Sequence, residues 1–196
     1  MSEDDTERET ESATEKEKMI AGENYDPLDP ELTAARDAAR QLTGLYNDTG
    51  PHEEDRRRLL LEELLGSGGE TAWIEPPLHC DYGWNVHVGE HFYANFGCVF
   101  LDVSEIRFGD QCLLGPDVHV YTAAHPIDAE TRAGGPEWGE SVKVGDRVWI
   151  GGRAVINPGV TIGDDVVVAA GSVVVDDVPD NVVVGGNPAE VIRDLE

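Results

Sequence analysis

The chain has 196 residues, 40% of them hydrophobic, enough to bury the core of one globular domain with a small appendage. Its formal net charge is −26, with 40 acidic residues against eleven arginines and three lysines (Lys16, Lys18, Lys143), a balance that repels nucleic acid and anionic membranes and excludes both as partners. No apolar run approaches the ~18 residues that span a bilayer, and the opening residues are acidic and polar rather than leader-like, so the expected address is the cytoplasm.

In chain order, residues 1–18 read as an acidic, disordered tail. The acid excess continues through the rest of the chain, as in Gly163-Asp164-Asp165 and Asp176-Asp177. That points to a salt-rich cytoplasm, where screening removes most of the self-repulsion. Residues 19–72 form a helical segment. Leu32, Ala35, Ala39 and Leu42 recur at helical spacing and predict one helix over 31–47. A second is expected from an N-cap at Asp48 or Thr49, with Pro51 in its first turn, to Gly66. Leu60, Leu61, Leu64 and Leu65 would be its buried stripe.

From Pro76 onward the sequence moves in sixes. The early hexads PPLHCD, YGWNVH, VGEHFY, ANFGCV and FLDVSE are followed, after a slip of two residues, by FGDQCL, LGPDVH and VYTAAH. The later ones, VGDRVW, IGGRAV, INPGVT, IGDDVV, VAAGSV and VVDDVP, run without a break from Val144. Each later hexad opens on Val or Ile and carries a small or β-branched residue at position five. A period of six is too short for a helix pair, and the β-branched content excludes a continuous helix. The pattern predicts an all-β fold over 73–193, a parallel β-helix of hexapeptide repeats with aliphatic leaders inward and Gly, Asn or Asp at the turns. The helical pair would cap its first coil. Three hexads make an 18-residue coil, which places Cys98 above Cys80. Cys80, Cys98 and Cys112 all fall at position five, and their odd number argues against a disulfide framework.

One long insertion, residues 126–143, breaks the phase and carries Gly134-Gly135-Pro136. A loop of this length in a compact repeat is usually functional or disordered. His125 stands immediately before it. Histidine is the side chain best poised to take a proton from a hydroxyl at neutral pH, although spacing alone reads His125 equally well as a turn residue beside Pro126. His79, His87, His91 and His119 do not have the spacing of a three-histidine zinc site and read as outward-facing repeat positions.

The run from Asn95 to Pro188 resembles the maltose and galactoside O-acetyltransferases of the hexapeptide-repeat superfamily. The stretches ANFGCVFLD, GPDVHVYTAAHPID, VWIGGRAVINPGVTIGD and NVVVGGNPA carry the likeness. EKEKMIAGENYDP and AWIEPPLHCDYG extend it to nearly all of residues 15–193, with a pattern closer to the maltose branch. The resemblance implies a left-handed β-helix and a homotrimer with active sites between adjacent subunits. It also implies acetyl-coenzyme A as co-substrate, no metal, and direct acetyl transfer in a ternary complex to a small sugar of maltose or glucose type. By resemblance His125 is the general base, and Asp81 and Asn95 contact the acceptor. Asp102 lies nearby and would bind the acceptor too, Tyr93 and Trp138 line the acetyl pocket, and an acid near Asp26 or Asp29 completes the acceptor site.

The galactoside branch carries an extra acid where this chain has Val103. Gly152 and Ala170 match positions whose backbone approaches the pantetheine arm, with Trp149 beside it. Arg193 would meet the coenzyme phosphates, with Arg153 and Lys143 as substitutes, whereas Asp176 and Glu190 replace basic residues that relatives often carry there. The alternatives are an acetyltransferase of another acceptor (an amino sugar, an oligosaccharide or an antibiotic), a zinc enzyme of the carbonic-anhydrase type, and a non-catalytic scaffold.

Overall fold

The computed structural model describes residues 13–195. Of the tail expected over 1–18, residues 1–12 lie outside the described part, and its last four belong to a helix, α1 (Glu15–Ile20). Thr14 and Glu17 start that helix with a reciprocal capping box. Helix α2 (Pro30–Asn47) follows, with Asp29 accepting from the Glu31 and Leu32 amides and Pro30 in the first turn. Helix α3 (Glu54–Leu64) begins later than the proline suggested. The Thr49 hydroxyl donates back to Tyr46 O and closes α2, while Glu53 takes the Gly50 amide. Pro51 is therefore spent in the connecting turn. Leu61, Leu64 and Leu65 are buried and Leu60 packs beside them.

The remainder is a parallel β-solenoid with three faces. Face 1 stacks Trp73–Ile74, Tyr93–Ala94, Leu113–Leu114, Trp149–Ile150, Val167–Val168 and Val182–Gly186, closed by the antiparallel strand Ala189–Asp194. Face 2 stacks Leu78–Cys80, Cys98–Leu101, His119–Tyr121, Val155–Ile156 and Val173–Val174. Face 3 stacks Val86–His87, Ile106–Phe108, Val142–Val144 and Thr161–Ile162. The hexad leaders Val144, Ile150, Ile156, Ile162, Val168 and Val174 all point into the core, as do the position-five residues Val148, Ala154, Val160, Val166 and Ser172. Among the described residues no helix is long and apolar enough to cross a membrane.

The coils are not of one length. Lys143 pairs with Thr161 and Val155 with Val173, a repeat of 18 residues. Earlier, Trp73 pairs with Tyr93, Leu78 with Cys98 and Val86 with Ile106, a repeat of 20. Cys98 consequently stacks on Leu78, and Cys80 on Phe100, not cysteine on cysteine. The surplus residues sit where the chain turns from face 2 to face 3, at Asp81–Asn85 and again at Asp102–Glu105. The third coil puts its 18-residue insertion at that same corner. Inside the insertion are a short helix, α4 (Ala129–Ala133), and the pair Trp138–Gly139, which runs antiparallel to Ala123–Ala124.

The corner from face 3 to face 1 shows how a tight turn is satisfied. Asp164 Oδ1 accepts the Asp146 amide of the preceding coil at 2.8 Å, and Asp180 Oδ1 accepts that of Asp164 at 2.8 Å. These carboxylates lie against Gly145 and Gly163, where an added Cβ would stand 2.3 and 2.1 Å from the carboxylate oxygen. The recurring Gly-Asp pair is thus one unit, the glycine making room for the next coil's aspartate. Part of the acid excess of the repeat is structural, a role that composition did not reveal.

The helices close the open end of the solenoid. The Asn47 side chain donates to Leu78 O and accepts the Leu78 amide, both at 2.8 Å, so it completes the edge of face 2 as a neighbouring strand would. The Tyr46 hydroxyl donates to Ile74 O on face 1, and the Gly66 amide donates to Val86 O on face 3. Replacing Asn47 by Leu strips both bonds from a part-buried peptide and should lower stability by about 2–3 kcal/mol. Urea unfolding of the two proteins measures it, and an unchanged midpoint would remove the capping role.

Candidate active site

The widened corner between faces 2 and 3 gathers titratable groups from four parts of the chain. His125 follows Ala123–Ala124 at the mouth of the insertion, with its side chain about half exposed. Its Nδ1 lies 3.3 Å from Pro136 O and its Nε2 3.4 Å from Glu137 Oε2. A proton on Nδ1, donated to that carbonyl, leaves the Nε2 lone pair free to accept another. The Glu137 carboxylate then stabilises the imidazolium that forms. Only 15% of the Glu137 side chain is exposed, so its charge is weakly screened.

Glu137 is itself held by the N-terminal segment. The Tyr25 hydroxyl donates to Glu137 Oε1, and the Tyr25 amide donates to Glu137 O at 3.1 Å. Burial, together with the adjacent carboxylate, pushes the Tyr25 hydroxyl far above its ordinary range, which keeps it a donor. Tyr25 packs with Met19, Leu32, Tyr82 and Val103, so the first helices and the widened coils share one small core beneath the site.

Asp81 and Arg36 complete the corner. Burial raises the Asp81 carboxyl, Arg36 and Arg40 draw it back, and Glu137 adds to the rise, so the charges of the corner act on one another. Arg36 donates to the Tyr82 hydroxyl at 2.6 Å and to Pro27 O, and lies 5.7 Å from the centre of the Tyr82 ring. Asp26 accepts the Leu28 amide and Asp29 caps α2, which occupies both acids of that loop with local structure. Asp102, expected beside an acceptor, is instead fully buried under this floor. Its Oδ1 accepts the Asp81 and Tyr82 amides, each at 2.9 Å.

The other residues singled out from sequence lie elsewhere. Asn95 is half-buried at the corner from face 1 to face 2 and accepts the Phe96 amide. Gly152 and Ala170 occupy the same corner in later coils, and there is no space for side chains between them: a Cβ on Gly115 would stand 2.5 Å from Gly152 N, and one on Gly151 2.5 Å from Ala170 N. Tyr93 and Trp149 face outward on face 1, and Arg193 is on its closing strand. Lys143 stands on face 3 between Arg107 and Thr161, away from this group, while Arg153 lies 3.7 Å from Asp117. Trp138 donates to Glu140 and lines an open cleft of about 690 Å³ with Lys18, Asn24, Pro126, Thr131 and Pro136. Asp176 and Glu190 are exposed. His79 and His91 are exposed, His119 bonds Tyr121 and His87 bonds Ser67. Among the described residues no group of three or more His, Cys, Asp or Glu is placed to hold a metal ion.

Residues 18–69 match the maltose acetyltransferase hexapeptide capping motif, and residues 141–176 match the bacterial transferase hexapeptide repeat. The structure is similar to that of a maltose O-acetyltransferase from Clostridium difficile 630, with 50% identity, a TM-score of 0.92, and coverage of 94% of this chain and 98% of the other. The chain belongs to the maltose and galactoside O-acetyltransferase family. Two further relatives are similar over nearly the whole chain. Galactoside acetyltransferase in complex with coenzyme A is 38% identical with a TM-score of 0.90, covering 94% of this chain and 92% of the other. Nodulation protein L of Rhizobium meliloti is 51% identical over 91% of this chain and 97% of its own length. The protein is thus an acetyltransferase on a parallel β-solenoid, closed by the capping motif of its family.

Sequence reasoning missed Glu137, Tyr25, Arg36 and Tyr82. The first two meet only because the N-terminal segment folds back across the insertion, and no local pattern announces that. A Tyr25→Phe variant should show faster amide exchange across residues 134–139 with the coils unaffected. Equal exchange in both proteins would mean that the hydroxyl does not hold Glu137.

Proposed function

We propose that this acetyltransferase moves acetyl from acetyl-coenzyme A to a hydroxyl of a small sugar of maltose or glucose type, by direct transfer in a ternary complex, with His125 as general base. The observation that carries the reading is the His125–Glu137–Tyr25 arrangement at the widened corner. His125 Nε2 takes the proton of the acceptor hydroxyl as its oxygen attacks the thioester carbonyl. The carbon–sulfur bond then breaks, and the thiolate leaves with the proton returned from the imidazolium. Asp81 and Arg36 supply the acceptor and donor that sugar hydroxyls require. The relatives' complexes, one with coenzyme A and one with acetyl-coenzyme A, support the choice of co-substrate.

The reading includes a homotrimer in the cytoplasm, with each site shared by two subunits. Asn95, Gly152 and Ala170 lie at one end of face 2 and His125 at the other, so they face one site only if a second chain supplies one of the sets. Trp73, Leu113 and Trp149 form an outward apolar ladder with 47, 48 and 55% of their surface exposed, a fitting face for that second chain. The coenzyme's extended arm would then follow the Gly152–Ala170 corner beside Trp149, with Tyr93 and Asn95 nearer the acceptor and Arg193 nearer the phosphates.

A second reading, an amino-sugar or oligosaccharide acceptor, is favoured by the 51% identity to nodulation protein L.

The test is thiol release from acetyl-coenzyme A in molar potassium chloride over glucose, maltose, galactosides, glucosamine and chitin oligosaccharides. Sugar-dependent release should fall roughly 10²–10⁴-fold in His125→Ala, and about tenfold in Glu137→Gln. The best acceptor separates the two readings, and no release with any sugar from a folded wild type sinks both. Mixing the inactive variants His125→Ala and Asn95→Ala, by refolding them together, should restore activity, because some sites then combine an intact His125 with an intact Asn95. If the mixture stays inactive, the two residues do not serve one shared site.

A further inference from the structure

The first two coils of the candidate corner are two residues longer than the last ones, and the extra backbone must find hydrogen-bond partners inside the fold. In the later, tight coils the same corner is satisfied by single bonds between coils: Asp177 Oδ1 accepts the Thr161 amide at 2.7 Å, and the Gly159 amide donates to Glu140 O. In the widened coils the task falls to four buried polar residues, Asn85, Asp102, Ser104 and Thr122. The Asn85 side chain donates through Nδ2 to Asp102 O at 2.7 Å. The Thr122 hydroxyl accepts the Ser104 amide at 2.9 Å and donates to Leu101 O at 2.7 Å. Thr122 leads directly into Ala123–Ala124–His125, and its carbonyl takes the Glu140 amide just beyond Glu137. One knot therefore underlies both the strand that presents His125 and the turn that presents Asp81.

Asp102 is the charged member of that knot. It is 0% exposed, Oδ1 takes the Asp81 and Tyr82 amides, and Oδ2 is the single buried side-chain polar atom left unpaired among the described residues. A carboxylic acid in such a place is destabilising unless its accepting oxygen is needed there. We propose that Asp102 is a positioning residue of the acceptor site: its Oδ1 clamps the Asp81 and Tyr82 amides and so fixes the Asp81 carboxyl, and the Tyr82 ring that carries Arg36, opposite His125. Asp102 touches neither acceptor nor coenzyme, and its effect is carried entirely through Asp81 and Tyr82.

The electrostatics agree with this placement. Burial pushes the Asp102 carboxyl up to about 7, helped by the neighbouring Asp81 charge and opposed by the two amides it accepts. The other titratable groups around it are the Cys80 thiol on the same coil as Asp81, itself pushed up by burial, and the Tyr82 hydroxyl; Arg36 and Glu137 stand beyond Asp81. The folded protein retains a proton that the unfolded chain releases near pH ~4. Stability from this group is complete below about pH 4 and is lost as pH rises through about 7.

The proposal rests on the sugar-acetylation reading for its kinetic half only. Asp102→Ala should raise the acceptor KM about tenfold or more while leaving the acetyl-coenzyme A KM within about twofold. It should also speed amide exchange at Asp81 and Tyr82 by about tenfold or more, with residues 142–178 unchanged. Asp102→Asn keeps an accepting oxygen and should restore both readouts. It should also lose the part of the wild-type decline in stability between about pH 4 and about pH 7 that Asp102 causes. Equal rises in both KM values, or an Asn variant as impaired as the Ala variant, would overturn the proposal. Should the Ala variant not fold, the Asn variant decides: an increased acceptor KM, or a pH–stability curve identical to wild type, overturns it. Should the wild type acetylate no sugar, the sugar reading falls, while amide exchange at Asp81 and Tyr82 still decides the clamp.

Discussion

Everything in this molecule is arranged around the hydrogen-bond ladder between successive coils. Strands in adjacent coils lie at the fixed spacing of a sheet, so every corner must return the chain in register with the coil before it. The amides exposed in turning have to be taken by something in the next coil. At the tight corner from face 3 to face 1 the answer is an aspartate seated on a glycine, repeated from Asp110 through Asp146 and Asp164 to Asp180. A chain of net charge −26 can place four carboxylates in a column because each is bonded to an amide and open to screening from solvent. Part of the acidic composition thus has a structural source in the corners.

The same ladder explains how the corner from face 2 to face 3 can hold the candidate site. Lengthening a corner leaves the strands paired, so the turn from face 2 to face 3 can grow by two residues, or by 18, without disturbing the core. Three successive coils use this freedom, and the side chains of Asp81, His125 and Glu137 emerge from the space it creates. The insertion is not loose. It is pinned to the solenoid by the pairing of Trp138–Gly139 with Ala123–Ala124, and to the N-terminal segment by the bridge between Tyr25 and Glu137. A half-exposed histidine beside a mostly buried carboxylate is the result: the imidazole is open to an acceptor, while its counter-charge is held in place.

How much of this could be read from the residues depended on the range of the interaction. The inward leaders, the capping helices and the insertion after His125 were legible because each is a local pattern repeated in space. The stacking of Cys98 on Cys80 was misjudged because the rule of six hides a corner that grows: the two-residue slip noticed between Phe100 and Phe108 recurs in the coil before it. The start of α3 was misplaced because Thr49, a good N-cap by type, closes the preceding helix instead. Glu137 lay in view within the insertion but carries no sign of its partner, since Tyr25 is 112 positions away. Asp102 shows the sharpest limit: its type and neighbourhood suggest a sugar ligand, and only burial reveals that it faces inward.

The two groups of residues singled out from sequence also bear on what one chain can do alone. Face 2 separates the Asn95–Gly152–Ala170 corner from the His125 corner, and a rigid solenoid cannot fold one onto the other. Its coils are paired on all three faces, so bending it would break the ladder described above. A site that needs both corners must be assembled by bringing one chain's corner to another's, and the precision of that site is set by how well each corner is held within its own chain. On one side this is done by close backbone packing, where Gly115 and Gly151 leave no room for a Cβ. On the other it is done by the buried polar knot of Asn85, Asp102, Ser104 and Thr122. In the shared site proposed above, rigidity inside each subunit would let the two surfaces meet with reacting groups held to the fraction of an ångström that proximity catalysis demands.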